Sequence, residues 1–299
     1  MTPTNQSEPS NSMSVDPSLR DRYAQVKERI ARAAKAAKRD PNSVLLVAVT
    51  KYAEPDQIRE LIQLGQIDFA ENRVQQLTQR ATIIGEWLER MRTMPGVGNA
   101  RPTGAGADML PTAKRSKGAE VPSTPAAPQV RWHMIGHLQR NKARKVVELS
   151  RLIHSVDSLR LAEELQLIAT KRENPVEVLL QVNCSGEESK FGCAIGAAIH
   201  LAEQIESMIQ LKLRGLMTMA PYSSNPEDSR RTFKRCRELF SDMLDSGVVS
   251  PAFNILSMGM SGDFEIAIEE GSNLVRVGSA LFGEPKPGTV EPDEKDEPE

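Results

Sequence analysis

The residue that first suggests chemistry in this chain is a lysine that directly follows an apolar run. Residues 44–50 read VLLVAVT and are followed by Lys51 and Tyr52. If the run is a strand, Lys51 stands at its C-terminal end with its stem against apolar walls. Desolvation there disfavours the ammonium form and frees the amine as a nucleophile. On position alone, a lysine whose head reaches solvent is the more common case. Near the other end of the chain, Met258-Gly-Met-Ser261-Gly-Asp263 follows a short apolar run at 254–257, and Gly278-Ser279-Ala280 follows another at 274–277. Small and hydroxyl residues that open helices at these points offer N–H groups and serine oxygens to a phosphate. Ordinary turn and capping chemistry uses the same residues. Arg276 lies inside the last run, where an arginine is costly unless paired. A ring nitrogen of a bound cofactor and a carboxylate such as Glu265 or Glu269 are both candidate partners. An activated lysine, a phosphate cup and an arginine together describe a site for pyridoxal 5′-phosphate (PLP).

Two further stretches could line the same site. Ala70-Glu71-Asn72-Arg73 follows a third run, and Trp132-His133-Met134-Ile135-Gly136-His137 covers a fourth. Asn72 suits a hydrogen bond to ring substituents and suits a helix cap equally well. His133 and His137 are four apart, but across a strand end rather than on one helix face, so a shared metal is not expected. Lys142 is a second amine, expected at a helix start and turned to solvent.

These residues need a frame that brings strand ends together. Short β-rich runs at 44–50, 67–70, 131–135, 152–156, 176–183, 212–218, 254–257 and 274–277 alternate with stretches of helical period. Several of the runs are continuously apolar, as expected for parallel strands covered on both faces. Pro55 suits a first helical position, with Ile58, Leu61 and Ile62 as the stripe and Gly65 as the stop. Asn225-Pro226 opens another helix, with Phe233, Cys236, Phe240 and Leu244 on one face. An extra helix from about Ser18 to Lys38 precedes the first strand, and its Ser18-x-x-Asp21 resembles a capping box. Eight strands with helices between them predict a single-domain (β/α)8 TIM barrel with an extra N-terminal helix. An open doubly wound sheet is the rival, but no GxGxxG follows the first strand. In a barrel, the C-terminal strand ends and the loops after them carry the chemistry, and these are the stretches singled out above.

Composition bounds the rest. The formal net charge of −2 gives no field for a nucleic-acid backbone, and 4% aromatic residues are too few for a base-stacking platform. No apolar run is long enough to span a membrane, and the N-terminus does not read as a secretory signal. Three cysteines without CxxC spacing read as reduced cytoplasmic thiols. Residues 1–17 and 284–299 are expected to be loose tails. Residues 95–129, with six prolines, five glycines and the basic cluster Lys114-Arg115-Ser-Lys117, are expected to form a flexible insert on the face away from the chemistry.

Taken in order, Val47-Ala-Val-Thr-Lys51, Ala70-Glu-Asn-Arg-Val-Gln75, Trp132-His-Met-Ile-Gly-His-Leu-Gln-Arg-Asn-Lys142, His154-Ser-Val-Asp157, Gly215-Leu-Met-Thr-Met219, Leu256-Ser-Met-Gly-Met-Ser-Gly-Asp263 and Val275-Arg-Val-Gly-Ser279 resemble the PLP homeostasis protein family. The resemblance runs from about residue 19 to 283, interrupted by the insert. It implies a PLP-binding barrel similar to the N-terminal domain of alanine racemase. In it Lys51 carries the PLP aldimine, Arg276 faces the pyridine nitrogen, Ser261, Gly278 and Ser279 bind the phosphate, and Asn72 lines the ring. It further implies a cytoplasmic, monomeric PLP carrier or regulator, with apo PLP-dependent enzymes as recipients, rather than an enzyme. The alternative is an amino-acid racemase of the same barrel type. Such racemases add a C-terminal β-domain, whereas sixteen residues follow the expected end of this barrel. A phosphate-binding barrel enzyme without PLP would need a carboxylate acid–base pair. Only Glu71 and Asp157 offer themselves.

Overall fold

The computed structural model describes residues 17–93, 129–187 and 190–284. The two expected tails and the expected insert, with its basic cluster, lie outside the described residues except for one end residue each. Eight parallel strands are present: β1 (Leu45–Val49), β2 (Asp68–Glu71), β3 (Arg131–Met134), β4 (Ser150–Val156), β5 (Val176–Asn183), β6 (Leu211–Met217), β7 (Ile255–Ser257) and β8 (Leu274–Val277). Each pairs with its neighbour in order. The sheet closes through β8 onto β1, with Val47 opposite Arg276 and Ala48 opposite Val277. This is the expected TIM barrel, with strand ends shifted by one or two residues. A two-residue strand, Cys193–Ala194, adds to the outer end of β5.

The period of two sorts the strand residues into two cores. Leu45, Val47, Val49, Ala70, Leu152, Leu179, Met217, Ile255 and Leu274 fill the barrel interior. Their sequence neighbours, such as Leu46, Ala48, Phe69, Ile153, Val178, Leu180, Leu256 and Val275, face the surrounding helices. Those helices are α1 (Leu19–Ala36), α2 (Pro55–Gln63), α3 (Val74–Thr93), α4 (Ala143–Leu149), α5 (Leu159–Ala169), α6 (Ile195–Glu206), α7 (Arg230–Asp245), α8 (Phe264–Glu269) and a single turn, α9 (Ser279–Phe282). Among the described residues, no helix is long and apolar enough to cross a membrane.

The extra helix α1 has its capping box: the Asp21 N–H donates to Ser18 Oγ at 3.2 Å and the Ser18 N–H to Asp21 Oδ2 at 3.3 Å. It ends two residues earlier than expected, because Lys38 turns left-handed at φ 56°. The helix braces the closing end of the barrel. Arg22 Nε donates to the Leu281 carbonyl at 2.6 Å, and Arg29 pairs with Glu265 at 2.6 Å. Just beyond the helix, Arg39 Nη1 donates to the carbonyls of Ile268 and Ser272 at 2.9 and 2.7 Å. The buried face of α7 is rotated from the expected one. Phe233, Cys236, Leu239 and Met243 are buried, Phe240 is partly buried against them, and Leu244 is 44% exposed. Steps of three, three and four follow the 3.6-residue turn closely, and they leave Leu244 beyond the edge of the stripe.

Candidate functional site

The C-terminal rim joins the loops that the sequence singles out. After β7 the chain turns sharply at Gly259 (φ 96°), where a Cβ would sit 2.6 Å from Ala267 Cβ. The Asp263 carboxylate then ties the loop down, accepting from the Met260 N–H at 2.6 Å and from Ser229 Oγ at 3.2 Å. The Arg276 N–H donates to the Gly259 carbonyl at 3.0 Å, so the loop stays registered on β8. Ser261 Oγ accepts from the N–H groups of Gly278 and Ala280 at 3.1 and 3.2 Å, which joins the last two loops into one cup. The cup borders the first strand: a Cβ on Gly278 would lie 3.3 Å from the Val49 carbonyl oxygen, two residues before Lys51. Lys51, the cup and the Arg276 strand are therefore neighbours.

Lys51 itself follows the solvent-reaching one of the two readings of its position. It is exposed, with its ammonium 4.8 Å from the centre of the Tyr52 ring, so the burial invoked to activate it is not present. The physical reason is its place two residues past the end of β1, clear of the apolar wall. Glu71, at the end of β2, is buried beside it and takes the Thr50 hydroxyl and the Arg80 guanidinium, the latter at 2.9 Å. Burial pushes the Glu71 carboxyl above its ordinary value, against the lowering effects of Arg80, Thr50, the Asn72 backbone and Lys51. Asn72 is not a cap: α3 begins at Val74, and the Asn72 side-chain oxygen is buried with no hydrogen-bond partner. The loop after β3 presses on it, since a Cβ on Gly136 would meet the Asn72 carbonyl at 2.0 Å.

Arg276 is 3% exposed and points into the barrel, as its place two residues from Leu274 requires. Of the two partners considered from sequence, the carboxylate pair is not formed. Glu265 is held by Arg29 and Glu269 by Arg230. Arg276 Nη1 instead donates to Ser257 Oγ at 2.6 Å and Nη2 to the Thr218 carbonyl at 2.9 Å. Burial pulls its guanidinium down to about 10, opposed by the Asp263 carboxylate and by Cys236, so it remains a cation at neutral pH.

Sequence reasoning singled out His133 but gave no role to Asp68, His154 or Ser257, which share the interior with it and Arg276. His133 and His154 bond to each other at 3.0 Å, His133 to Asp68 at 3.0 Å, and His154 to Ser257 at 3.1 Å. A signal was available, because each stands at an inward position of an otherwise apolar strand. His137 belongs elsewhere: it stacks on Phe191 at 4.5 Å and lies 3.8 Å from Asp157, so the two histidines of the HxxxH do not converge. Burial raises the Asp157 carboxyl, with His137 acting against it.

Donors and acceptors of the rim fit the group expected from sequence. An amine, a cup of N–H and hydroxyl groups, a fixed cation and a buried amide oxygen without a partner lie on adjacent strand ends. A closed eight-stranded barrel with such a rim is of the alanine racemase N-terminal domain class, and the family model of that description matches residues 18–286. Among curated proteins, the chain is 35% identical to the pyridoxal phosphate homeostasis protein of Aquifex aeolicus, covering 89% of this chain and 98% of that one. It is 33% identical to the protein of the same name from Escherichia coli K12, covering 87% and 94%. The chain belongs to the pyridoxal phosphate homeostasis protein family. Among solved structures, PipY of Synechococcus elongatus with PLP bound superposes with a TM-score of 0.63 at 29% identity, covering 87% of this chain and all of that one. Alanine racemase of Clostridium difficile superposes with a TM-score of 0.55 at 13% identity, covering 91% of this chain and 57% of that one, a likeness of fold.

Proposed function

We propose that this chain binds pyridoxal 5′-phosphate for intracellular PLP homeostasis, holding it as a Schiff base on Lys51 without catalytic turnover. The observation that carries the reading is the close approach of Gly278, which Ser261 ties into the cup, to Val49, two residues before Lys51. The relatives' name and the PLP held by PipY support it. The Lys51 amine attacks the aldehyde carbon, a C=N bond forms and water leaves. Ser261, Gly278 and Ser279 take the phosphate, Arg276 faces the pyridine nitrogen, and Asn72 lines the ring with its unpartnered oxygen.

Two features support the reading without turnover. A permanent cation at the ring nitrogen disfavours its protonation and so weakens the electron sink that carbanion chemistry needs. Exposed Lys51, Tyr52 and Met260 leave the rim open to water, which suits exchange of the cofactor better than protection of a carbanion. On this reading the protein is a cytoplasmic monomer, and apo PLP-dependent enzymes receive its cargo.

The test is a PLP titration followed by visible absorbance, then a challenge with L-alanine and measurement of product chirality. The expected result is a saturable yellow species and unchanged chirality. A failure to take up PLP overturns the binding reading, and racemisation on the order of 1 s⁻¹ or faster overturns the carrier reading.

A further inference from the structure

A continuous row of polar side chains crosses the apolar interior of the barrel from β2 to β8. Asp68 (β2), His133 (β3), His154 (β4), Ser257 (β7) and Arg276 (β8) are all 3% exposed or less. Isolated polar groups in such a core are costly, and apolar residues of similar volume serve stability as well or better. The row therefore asks for a role other than holding the barrel together.

Its hydrogen bonds can be satisfied in one direction. A guanidinium only donates, so Ser257 Oγ accepts from Arg276 Nη1 at 2.6 Å. The Ser257 proton then goes to its other partner, His154 Nδ1, at 3.1 Å. With Nδ1 accepting, neutral His154 carries its proton on Nε2 and donates it to His133 Nδ1 at 3.0 Å. His133 in turn donates from Nε2 to Asp68 Oδ1 at 3.0 Å. Arg131 closes the far end on both oxygens of Asp68, with Nε at 2.7 Å. Burial, with the positive charge of Arg276, holds His154 well below its ordinary value and so keeps it neutral, as the direction requires. Every donor in the row thus points away from Arg276 and toward the buried carboxylate.

We propose that this one-way chain, with His154 as its central positioning residue, fixes the Arg276 guanidinium in the orientation from which it meets the cofactor ring. The chain orders the Ser257 hydroxyl so that only its oxygen faces Arg276, while the Thr218 carbonyl holds Nη2. The donors of Arg276 not spent on these two partners are then left for a ligand. The proposal rests on the reading that the site holds PLP, and its primary readout is independent of PLP.

The experiment uses the full-length protein. First, imidazole ¹⁵N shifts of the cofactor-free wild type report the tautomers, and proton exchange reports the order of the Arg276 side chain. His133 and His154 are both expected as Nε2–H forms, with slow exchange at Arg276. His154→Leu keeps bulk and removes both hydrogen bonds, whereas His154→Asn keeps an acceptor near the Nδ1 position. His154→Leu is expected to speed Arg276 exchange, to weaken PLP binding on the order of tenfold and to shift the visible band of bound PLP. His154→Asn is expected to recover part of each. A wild type with His154 protonated on Nδ1 overturns the proposal even if no variant folds. A folded His154→Leu with wild-type Arg276 exchange and band also overturns it. A wild type that takes up no PLP refutes the reading of the site instead, and Arg276 exchange still decides the chain.

Discussion

Lys51 and Glu71 sit side by side with opposite exposures, and that contrast makes the carboxyl testable. Burial raises the Glu71 carboxyl above its ordinary 4.5, so its folded-state value exceeds its unfolded one. Such an acid contributes stability that is fully present below 4.5 and is lost as pH rises through the folded value. Glu71→Gln has no proton to lose. The melting temperature of the variant minus that of the wild type is expected to rise with pH above about 4.5 and then level off. Paired thermal melts between pH 4 and 7 check this, and a difference that falls with rising pH contradicts it. Single residues were also where the sequence was least reliable. Lys51 was legible as a candidate amine by its position at a strand end, and its exposure as one of two readings of that position; the end of β1 decides between them, because two residues beyond it lie outside the wall that would have covered the side chain. Arg276 was legible as a residue in need of a partner. Its protein partners, Ser257 and the Thr218 carbonyl, come from strands remote in sequence, and no local pattern announces them.

At the scale of elements, the loop between β7 and α8 depends on one backbone conformation. Gly259 has φ 96°, and a Cβ there would lie 2.6 Å from Ala267 Cβ and 2.9 Å from Phe264 Cα. Gly262, three residues on, has nothing within 4 Å of its Cβ position. Gly259→Ala is expected to cost about 1–3 kcal/mol and to weaken phosphate binding, because the loop that carries Ser261 must shift. Gly262→Ala is expected to stay within about 0.5 kcal/mol of wild type. Urea denaturation and competition by inorganic phosphate measure both, and equal effects of the two substitutions contradict the account. Helix and strand positions were readable from hydrophobic period and from the Ser18, Pro55 and Asn225 start signals. The end of α1 was not, since nothing in Lys38 advertises a left-handed turn.

At the scale of the molecule, the order of eight apolar runs with helices between them was enough to predict the closed barrel, and closure explains the site. Pairing of β8 with β1 brings residues more than two hundred positions apart into register, Val47 opposite Arg276, so that the first and last strands share one rim. The polar row inside the barrel was not legible at this scale, because His154 on β4 and Ser257 on β7 meet only across the closed sheet. The account as a whole stands on Lys51 as the residue that holds the cofactor. The direct measurement is borohydride reduction of the PLP-loaded protein followed by peptide mass mapping, with Lys51→Ala as the control. The account predicts one phosphopyridoxyl group, on Lys51, and its loss in a Lys51→Ala protein that melts like the wild type. A label on Lys142 or any other lysine, or one that persists at full yield in Lys51→Ala, would contradict it.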